Sequence, residues 1–312
     1  MPAPLSRLAV TLCGIPLNNP IIAASGTFAY GVEFALIVDL NSLGGFVVKG
    51  LSREPMDGNL PPRIWEASSG MINSIGLQNI GVRAFVRDKL PALANLQTAV
   101  FANVFGFEIA AYEEVIHVLE DAPGLAGYEL NVSCPNTKHG GMLFSADPAL
   151  LAEVVTASKR AIRSNRPLIV KLSPNVSSIA TLAKAAAEAG ADAISLVNTF
   201  VSLAIDARTR KPRIGAGFGG LSGPAIKPIA LRMVYEASKA VKIPVVGMGG
   251  ISNGEDVAEF MIAGSTAVEV GTANFWDPAA TVRIAQELDE FLRAENIAGA
   301  AALTGTLQFP VK

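Results

Sequence analysis

The chain is poor in the residues on which small secreted domains and most metal centres depend. Among its 312 residues are two cysteines, Cys13 and Cys134, and two histidines, His117 and His139. Two cysteines cannot build a disulfide framework, and a chain this long buries enough surface to need none, so a reducing, cytoplasmic setting is expected. Charge is scarce too: 17% of residues are charged and the net charge is −2 at pH 7, which gives no case for nucleic acid or an anionic membrane as partner. No window approaches 18 uninterrupted apolar residues, and the opening MPAPLSRLAV lacks a basic stretch followed by a long apolar run. Neither a membrane span nor export is expected. Apolar residues are abundant at 50%, which excludes the disordered class and leaves a globular protein that meets small molecules or other proteins.

Short β-rich runs alternate with helical patterns along the whole sequence. PIIAAS (20–25), GGFVVKG (44–50), TAVFANV (98–104), GYELNVS (127–133), PLIVKLS (167–173), DAISLVN (192–198), IPVVGMGG (243–250) and TAVEVGT (266–272) read as strands. They are mostly continuous apolar runs, the kind that a parallel sheet buries on both faces. Helical spacing is found over roughly 32–40, 79–94, 108–121, 147–163, 177–189, 224–241, 253–263 and 278–294. Eight βα pairs predict an α/β protein of the (β/α)8 TIM barrel type, one domain spanning 1–312. Asp147-Pro148 and Asp277-Pro278 predict helix starts, and Gly124, Gly190 and Gly264 predict helix ends. The opening RLAVTLCGIPLNNP alternates like a small N-terminal β-hairpin that could plug one end of the barrel. Residues 51–78 and 199–223 are long Gly/Pro/Arg-rich loops after the second and sixth strands, on the C-terminal face where barrels place their sites.

At those strand ends the sequence turns polar in a consistent way: Ala24-Ser25, Lys49-Gly50, Asn103, Asn131, Lys171, Asn198-Thr199, Gly249-Gly250 and Gly271-Thr272. Any one of them could be turn chemistry; eight in register suggest a common mouth. Glycines after strands seven and eight are where barrels often hold phosphate through backbone N–H groups, so a phosphate-bearing cofactor is expected. A lysine ending an apolar strand either snorkels to solvent or answers an anion, because an unpaired buried ammonium is costly. Lys49 and Lys171 together favour a cofactor that takes on negative charge, such as a flavin. Amides at Asn73, Asn79, Asn131, Asn136 and Asn198 both donate and accept, which suits a small heterocycle with alternating C=O and N–H groups.

Cys134 stands in NVSCPNTKHGG (131–141). A cysteine is most often a small buried hydrophobe, but one on a loop at the catalytic face has a thiol near enough to neutrality to act as a base. His139 could assist it or be solvated. Cys13 in the hairpin reads as structural, and His117 within a helix as surface or packing.

Taken together these motifs resemble the dihydroorotate dehydrogenases, the flavin-dependent barrels of pyrimidine synthesis. The resemblance runs through NNPIIAASGTF, VVKG, GNLPPRIWE, NSIGLQN, ANVFG, ELNVSCPNTKHGGMLF, VKLSPN, LVNT, GGLSGPAIKP, VVGMGGI and VEVGTANF in the family's order. It implies FMN across the barrel mouth, held by Ala24, Ser25, Lys49, Gly50, Asn103, Asn131, Lys171, Val197, Gly223, Gly249, Gly250, Gly271 and Thr272. It implies dihydroorotate or orotate against Lys49, Asn73, Ile75, Gly76, Leu77, Asn131, Asn136, Asn198 and Thr199; Ile75 stands where some members have methionine. In the class 1 members a cysteine of the SCPN motif takes the C5 proton while hydride leaves C6, and Cys134 matches it. NTKHGGMLF and the N-terminal run look like the NAD-linked branch, class 1B, which implies a homodimer joined in a heterotetramer to an FAD and [2Fe-2S] subunit. Cluster ligation takes four cysteines or equivalents, more than this chain has, so the cluster would belong to the partner. Other readings are the fumarate-linked class 1A enzyme, another flavin-dependent pyrimidine-base dehydrogenase, and a flavin-binding scaffold without chemistry.

Overall fold

Eight apolar runs pair side by side in the order of the sequence and close on themselves. The computed structural model describes residues 7–133, 135–136 and 142–310. In it β1 (Ile21–Ala23), β2 (Gly45–Val47), β3 (Ala99–Val104), β4 (Gly127–Asn131), β5 (Leu168–Lys171), β6 (Ala193–Leu196), β7 (Val245–Met248) and β8 (Ala267–Val270) form a closed parallel barrel. Closure is made by β8 against β1, with Val268 opposite Ile21 and Val270 opposite Ala23. Nearly every strand residue is buried, because the interior is filled by side chains and the outer face is covered by helices, so the runs are apolar without alternation. The predicted strands are all present, trimmed at their polar ends.

Most helices fall where their periodicity places them, and three α-helices among the described residues carry side-chain caps, from Asp147, Ser178 and Asn253. Asp147 Oδ1 accepts from the N–H groups of Ala149 and Leu150, both at 2.9 Å, at the start of Pro148–Ala161. Asn253 accepts from the Asp256 N–H at 2.9 Å to open Gly254–Ala263, and Gly264 ends that helix at φ 126°. Three boundaries differ from expectation. Residues 32–40 form no α-helix but two 3-10 turns, Val32–Phe34 and Leu40–Ser42. The second is started afresh by Asp39, whose extended backbone and side-chain cap on the Asn41 N–H interrupt any continuous helix. Asp277 does not cap the last helix, which is Ala280–Ala294; its carboxylate instead accepts from the Ala279 N–H at 3.0 Å and holds Arg283 at 2.9 Å. An extra short helix, Ala273–Trp276, follows β8 directly.

The N-terminal hairpin pairs Val10–Leu12 with Ile15–Leu17. Its turn residue Cys13 donates Sγ–H to the carbonyl of Asp192, the residue before β6, at 3.4 Å, so the hairpin lies at the N-terminal end of the barrel, away from the strand ends that bear the polar groups. Burial, with Asp192 next in effect, raises the Cys13 thiol to about 11, which keeps it protonated and inert. His117 is exposed on helix Ile109–Glu120.

The two long loops turn out to be one structure. Phe200–Leu203, Phe218–Ser222, Gly70–Asn73 and Ile64–Ala67 hydrogen-bond in that order as a four-stranded antiparallel sheet beside the barrel mouth. Gly220 is required there, since a Cβ would lie 2.0 Å from Thr199 Oγ1. Among the described residues no helix is long and apolar enough to cross a membrane, and no group of His, Cys, Asp and Glu is placed to hold a metal ion.

Candidate active site

At the C-terminal ends of the strands, bordered by that antiparallel sheet, lies a cavity of about 500 Å³, within the ~300–1,000 Å³ usual for small-molecule and cofactor sites. Its lining brings together Ala24, Ser25, Lys49, Gly50, Asn103, Asn131, Lys171, Val197, Gly223, Gly249, Gly250, Gly271 and Thr272, along with Asn73, Ile75, Gly76, Leu77, Asn198 and Thr199. Three of the sequence-predicted residues are not placed in this way. Cys134 and His139 lie outside the described residues, and Asn136 is described only as the end of a two-residue strand, Pro135–Asn136, paired with Met142–Leu143.

Charge at the floor of the cavity is concentrated on Lys171. Its Nζ lies 3.2 Å from Glu129 Oε1 on β4, 3.2 Å from Glu269 Oε2 on β8, and 3.4 Å from Ser25 Oγ. Burial alone would lower the lysine, but the two carboxyl groups outweigh it and raise it above its ordinary value. Lys171 is therefore an ammonium throughout the physiological range. Asn103 Nδ2 donates to Glu129 Oε1 at 2.6 Å, which orients the amide and leaves its oxygen beside Gly50, where a Cβ would stand 2.9 Å from it.

Lys49 is different. Among the described residues its Nζ has no hydrogen-bond or ion-pair partner, and burial followed by the nearby Arg63 charge lowers it from the usual lysine value. A half-buried cation without a counter-charge, in a cavity, is a receptor for an anionic or electron-rich ligand.

The glycine edge has the closeness that phosphate binding demands. Gly250 holds φ 83°, and a Cβ on it would come 2.8 Å from the Gly223 carbonyl and 2.9 Å from Lys227 Cβ. No other residue fits at this junction of two loops. Behind it Lys227 pairs with Asp256 at 2.6 Å and Glu259 at 2.7 Å, and Asp256 accepts from the Ser252 N–H at 2.7 Å, bracing the loop after β7. Thr272 Oγ1 donates to Ser222 Oγ at 2.8 Å, tying β8 to the end of the antiparallel sheet. These are backbone-rich, closely approachable surfaces of the kind that accept phosphate oxygens.

The amide wall is cross-linked through Ser133, the residue before Cys134. Asn198 Nδ2 donates to Ser133 Oγ at 2.9 Å, the Ser133 N–H donates to Asn131 Oδ1 at 3.2 Å, and the Thr199 N–H donates to Asn198 Oδ1 at 2.9 Å. Asn73 Nδ2 reaches the Gly220 carbonyl at 3.4 Å. Asn79 departs from expectation. It is buried outside the cavity, where Oδ1 accepts from the Gly81 N–H at 2.8 Å and Nδ2 donates to Ser52 Oγ at 2.8 Å and the Leu77 carbonyl at 2.9 Å. Its amide is fully engaged in bracing the second loop.

Sequence reasoning missed Glu129 and Glu269, both wholly buried. The signal was present: a glutamate inside GYELNVS and another inside TAVEVGT, each within a strand apolar on both faces, cannot stay charged there without a partner. Ser133, Ser222 and Asn59, which also line the cavity, carry no sequence signal beyond their neighbourhood.

A closed parallel barrel with a cationic, glycine-edged cavity at its strand C-termini defines a cofactor-binding barrel enzyme. The family model described as dihydroorotate dehydrogenase matches residues 7–292. A Solibacter usitatus protein named "Putative dihydroorotate dehydrogenase A (fumarate)" is 72% identical over 97% of this chain and 99% of its own length. Proteins of Geobacter sp. and Geobacter sulfurreducens, each named dihydroorotate dehydrogenase B (NAD(+)), catalytic subunit, are 51% and 50% identical, over 96% of this chain and 98% of their own. The chain belongs to the dihydroorotate dehydrogenase family.

Proposed function

We propose that this chain oxidises (S)-dihydroorotate to orotate in pyrimidine biosynthesis, with FMN held in the barrel mouth. What carries the reading is one cavity that joins a Lys49 without an ion-pair partner among the described residues, a charge-compensated Lys171, a glycine edge and a wall of asparagine amides, in a member of this family. FMN fits that donor set: the glycine edge suits its phosphate, and the two lysines suit a ring system that becomes negative. Ala24, Ser25, Lys49, Gly50, Asn103, Asn131, Lys171, Val197, Gly223, Gly249, Gly250, Gly271 and Thr272 would hold it. When bound, FMN supplies the acceptor for the hydride that leaves C6 of the substrate.

The protein's own task is to bind and orient the pyrimidine and to take a proton. Asn73, Asn131, Asn136 and Asn198, with Thr199 and the backbone of Ile75, Gly76 and Leu77, recognise its alternating donors and acceptors, and Lys49 answers its carboxylate. Cys134 Sγ takes the proton from C5. Ser133, the residue before Cys134 in sequence, is tied to Asn131 and Asn198, two of the residues that would orient the ring.

For the electron acceptor we favour NAD, reached through a partner that carries FAD and a [2Fe-2S] cluster in a heterotetramer built on a homodimer, in the cytoplasm. The names of the relatives near 50% identity support it. The 72% identical relative supports a second reading, direct reduction of fumarate. Steady-state assay of the purified chain separates them: fumarate-dependent turnover without a partner selects the second, and its absence, with NAD reduction restored by the partner, selects the first. Comparing dihydroorotate with dihydrouracil separates both from a general pyrimidine-base dehydrogenase, which would show no preference for the carboxylate.

A further inference from the structure

The cavity floor holds more acid than the reaction uses. Glu129 on β4 and Glu269 on β8 are 0% and 2% exposed, and both reach Lys171 Nζ at 3.2 Å. Two buried carboxyl groups that share one ammonium are in balance with one of them protonated, because the single cation offsets only one negative charge. The other donors tell which of the two is ionised. Asn103 Nδ2 donates to Glu129 Oε1 at 2.6 Å, and Ser195 Oγ donates to Glu129 Oε2 at 3.0 Å. Glu269 receives neither; among the described residues Lys171 is its one side-chain donor. Glu129 is thus the carboxylate and Glu269 the acid. It is Glu269 that lines the cavity, while Glu129 sits behind it.

We propose that Glu269 is a positioning residue for the redox step: a neutral acid in the cavity wall whose proton keeps the Glu129–Lys171–Glu269 cluster free of net charge. This rests on the flavin reading above. Hydride leaving C6 brings two electrons and one proton to the flavin, and so one negative charge. A cluster of zero net charge does not oppose that charge; an ionised Glu269 would. Among the described residues the titratable groups acting on Glu269 are Glu129 and Lys171, and the segment after β1, together with β3 and β6, presents the neutral Ser25, Asn103 and Ser195 to the same cluster. Burial, then the Glu129 charge, raises Glu269 well above the ordinary carboxyl range. Lys171 overcomes the effect of burial on Glu129 and holds it low.

Two readouts test this. The first is the infrared spectrum of the flavin-free protein near neutral pH. A carboxylic-acid C=O band is expected in the wild type and absent in E269Q; it is absent too in E129Q, where Glu269 becomes the only carboxylate facing Lys171 and ionises. No band in the wild type, or a band that survives in E269Q, overturns the proposal. The second is the ratio of reduced to oxidised FMN affinity as pH is raised from neutrality until Glu269 ionises. In the wild type that ionisation costs reduced FMN roughly a hundredfold relative to oxidised FMN, the effect of one unit charge about 6 Å away at an effective dielectric of about 20, and E269Q shows no such step. A step of the same size in E269Q overturns the proposal while leaving flavin binding intact. A protein that binds no FMN at all removes the flavin reading instead, and the infrared band still decides where the proton lies.

Discussion

Replacing Lys171 with methionine removes the cation at the cavity floor and leaves two buried acids without it. In the folded wild type its Nζ serves carboxyl groups on two other strands, each at 3.2 Å, and all three side chains are buried. Removing one member of a buried ion pair costs about 3–5 kcal/mol, because the partner is left uncompensated. For a barrel of this size that is roughly 5–8 °C in Tm. The loss depends on pH with a definite sign. Glu129 has its folded pKa held down, so its stabilisation is present above the unfolded value of about 4.3 and disappears as pH falls through the folded one. Lys171 has its folded pKa raised, so its contribution is complete below about 10.4 and disappears as pH rises through the folded value. In the variant Glu129 must stay protonated to remain buried, which costs more with each pH unit above its unfolded value, up to about 1.4 kcal/mol per unit. Lys171→Met is therefore nearly harmless to stability at pH 4.5 and costs most of the full amount at pH 7.5. Urea denaturation at the two pH values measures it. An equal loss at both, or a loss under about 1 kcal/mol at pH 7.5, refutes the charge assignment of the cluster.

Other substitutions separate loop bracing from ligand contact. Gly250→Ala forces a Cβ against the Gly223 carbonyl and an αL-type backbone on alanine, so a destabilisation of about 2–4 kcal/mol and loss of FMN on gel filtration are expected. Asn79→Ala strips four hydrogen bonds from the second loop and lowers stability by about 1–3 kcal/mol, read as a shift in the urea midpoint. Asn198→Ala raises KM for dihydroorotate by roughly tenfold or more, the loss of one or two bonds to substrate, and, because it also releases Ser133 Oγ and the Thr199 N–H, it lowers stability by about 1 kcal/mol. Cys134→Ser keeps the flavin spectrum and loses most of the turnover near neutral pH, with activity recovering toward alkaline pH. Orotate binding weakens as pH rises through the lowered value of Lys49, and Lys49→Arg moves that fall to higher pH; titration of the flavin spectrum with orotate from pH 7 to 10.5 follows it.

The barrel was legible because its strands are buried on both faces, so the runs at β1 to β8 need no tertiary information to be recognised. The strand-end residues followed from the barrel, because barrels place their sites at the C-terminal ends of the strands. Residues 32–40 misled because Leu36 and Ile37, apolar at helical spacing, are exposed, and the cap at Asp39 outweighs the pattern. The loops 51–78 and 199–223 could be marked as functional by length, yet their pairing into one sheet depends on contacts between segments about 150 residues apart in sequence, such as Asn73 with Gly220. Asn79 and Asn73 look alike in NSIGLQN, and only the loop's path sends one amide to Ser52 and the other toward the cavity. Glu129 and Glu269 were readable as misplaced charges, but their meeting across Lys171 follows from barrel closure.

The most direct measurement is the visible spectrum of the purified protein under anaerobic conditions, before and after one equivalent of dihydroorotate. The account predicts flavin absorption bands that bleach on addition, with orotate released in proportion to the flavin present. Bands that persist unchanged, or a colourless protein that takes up no FMN, would contradict it.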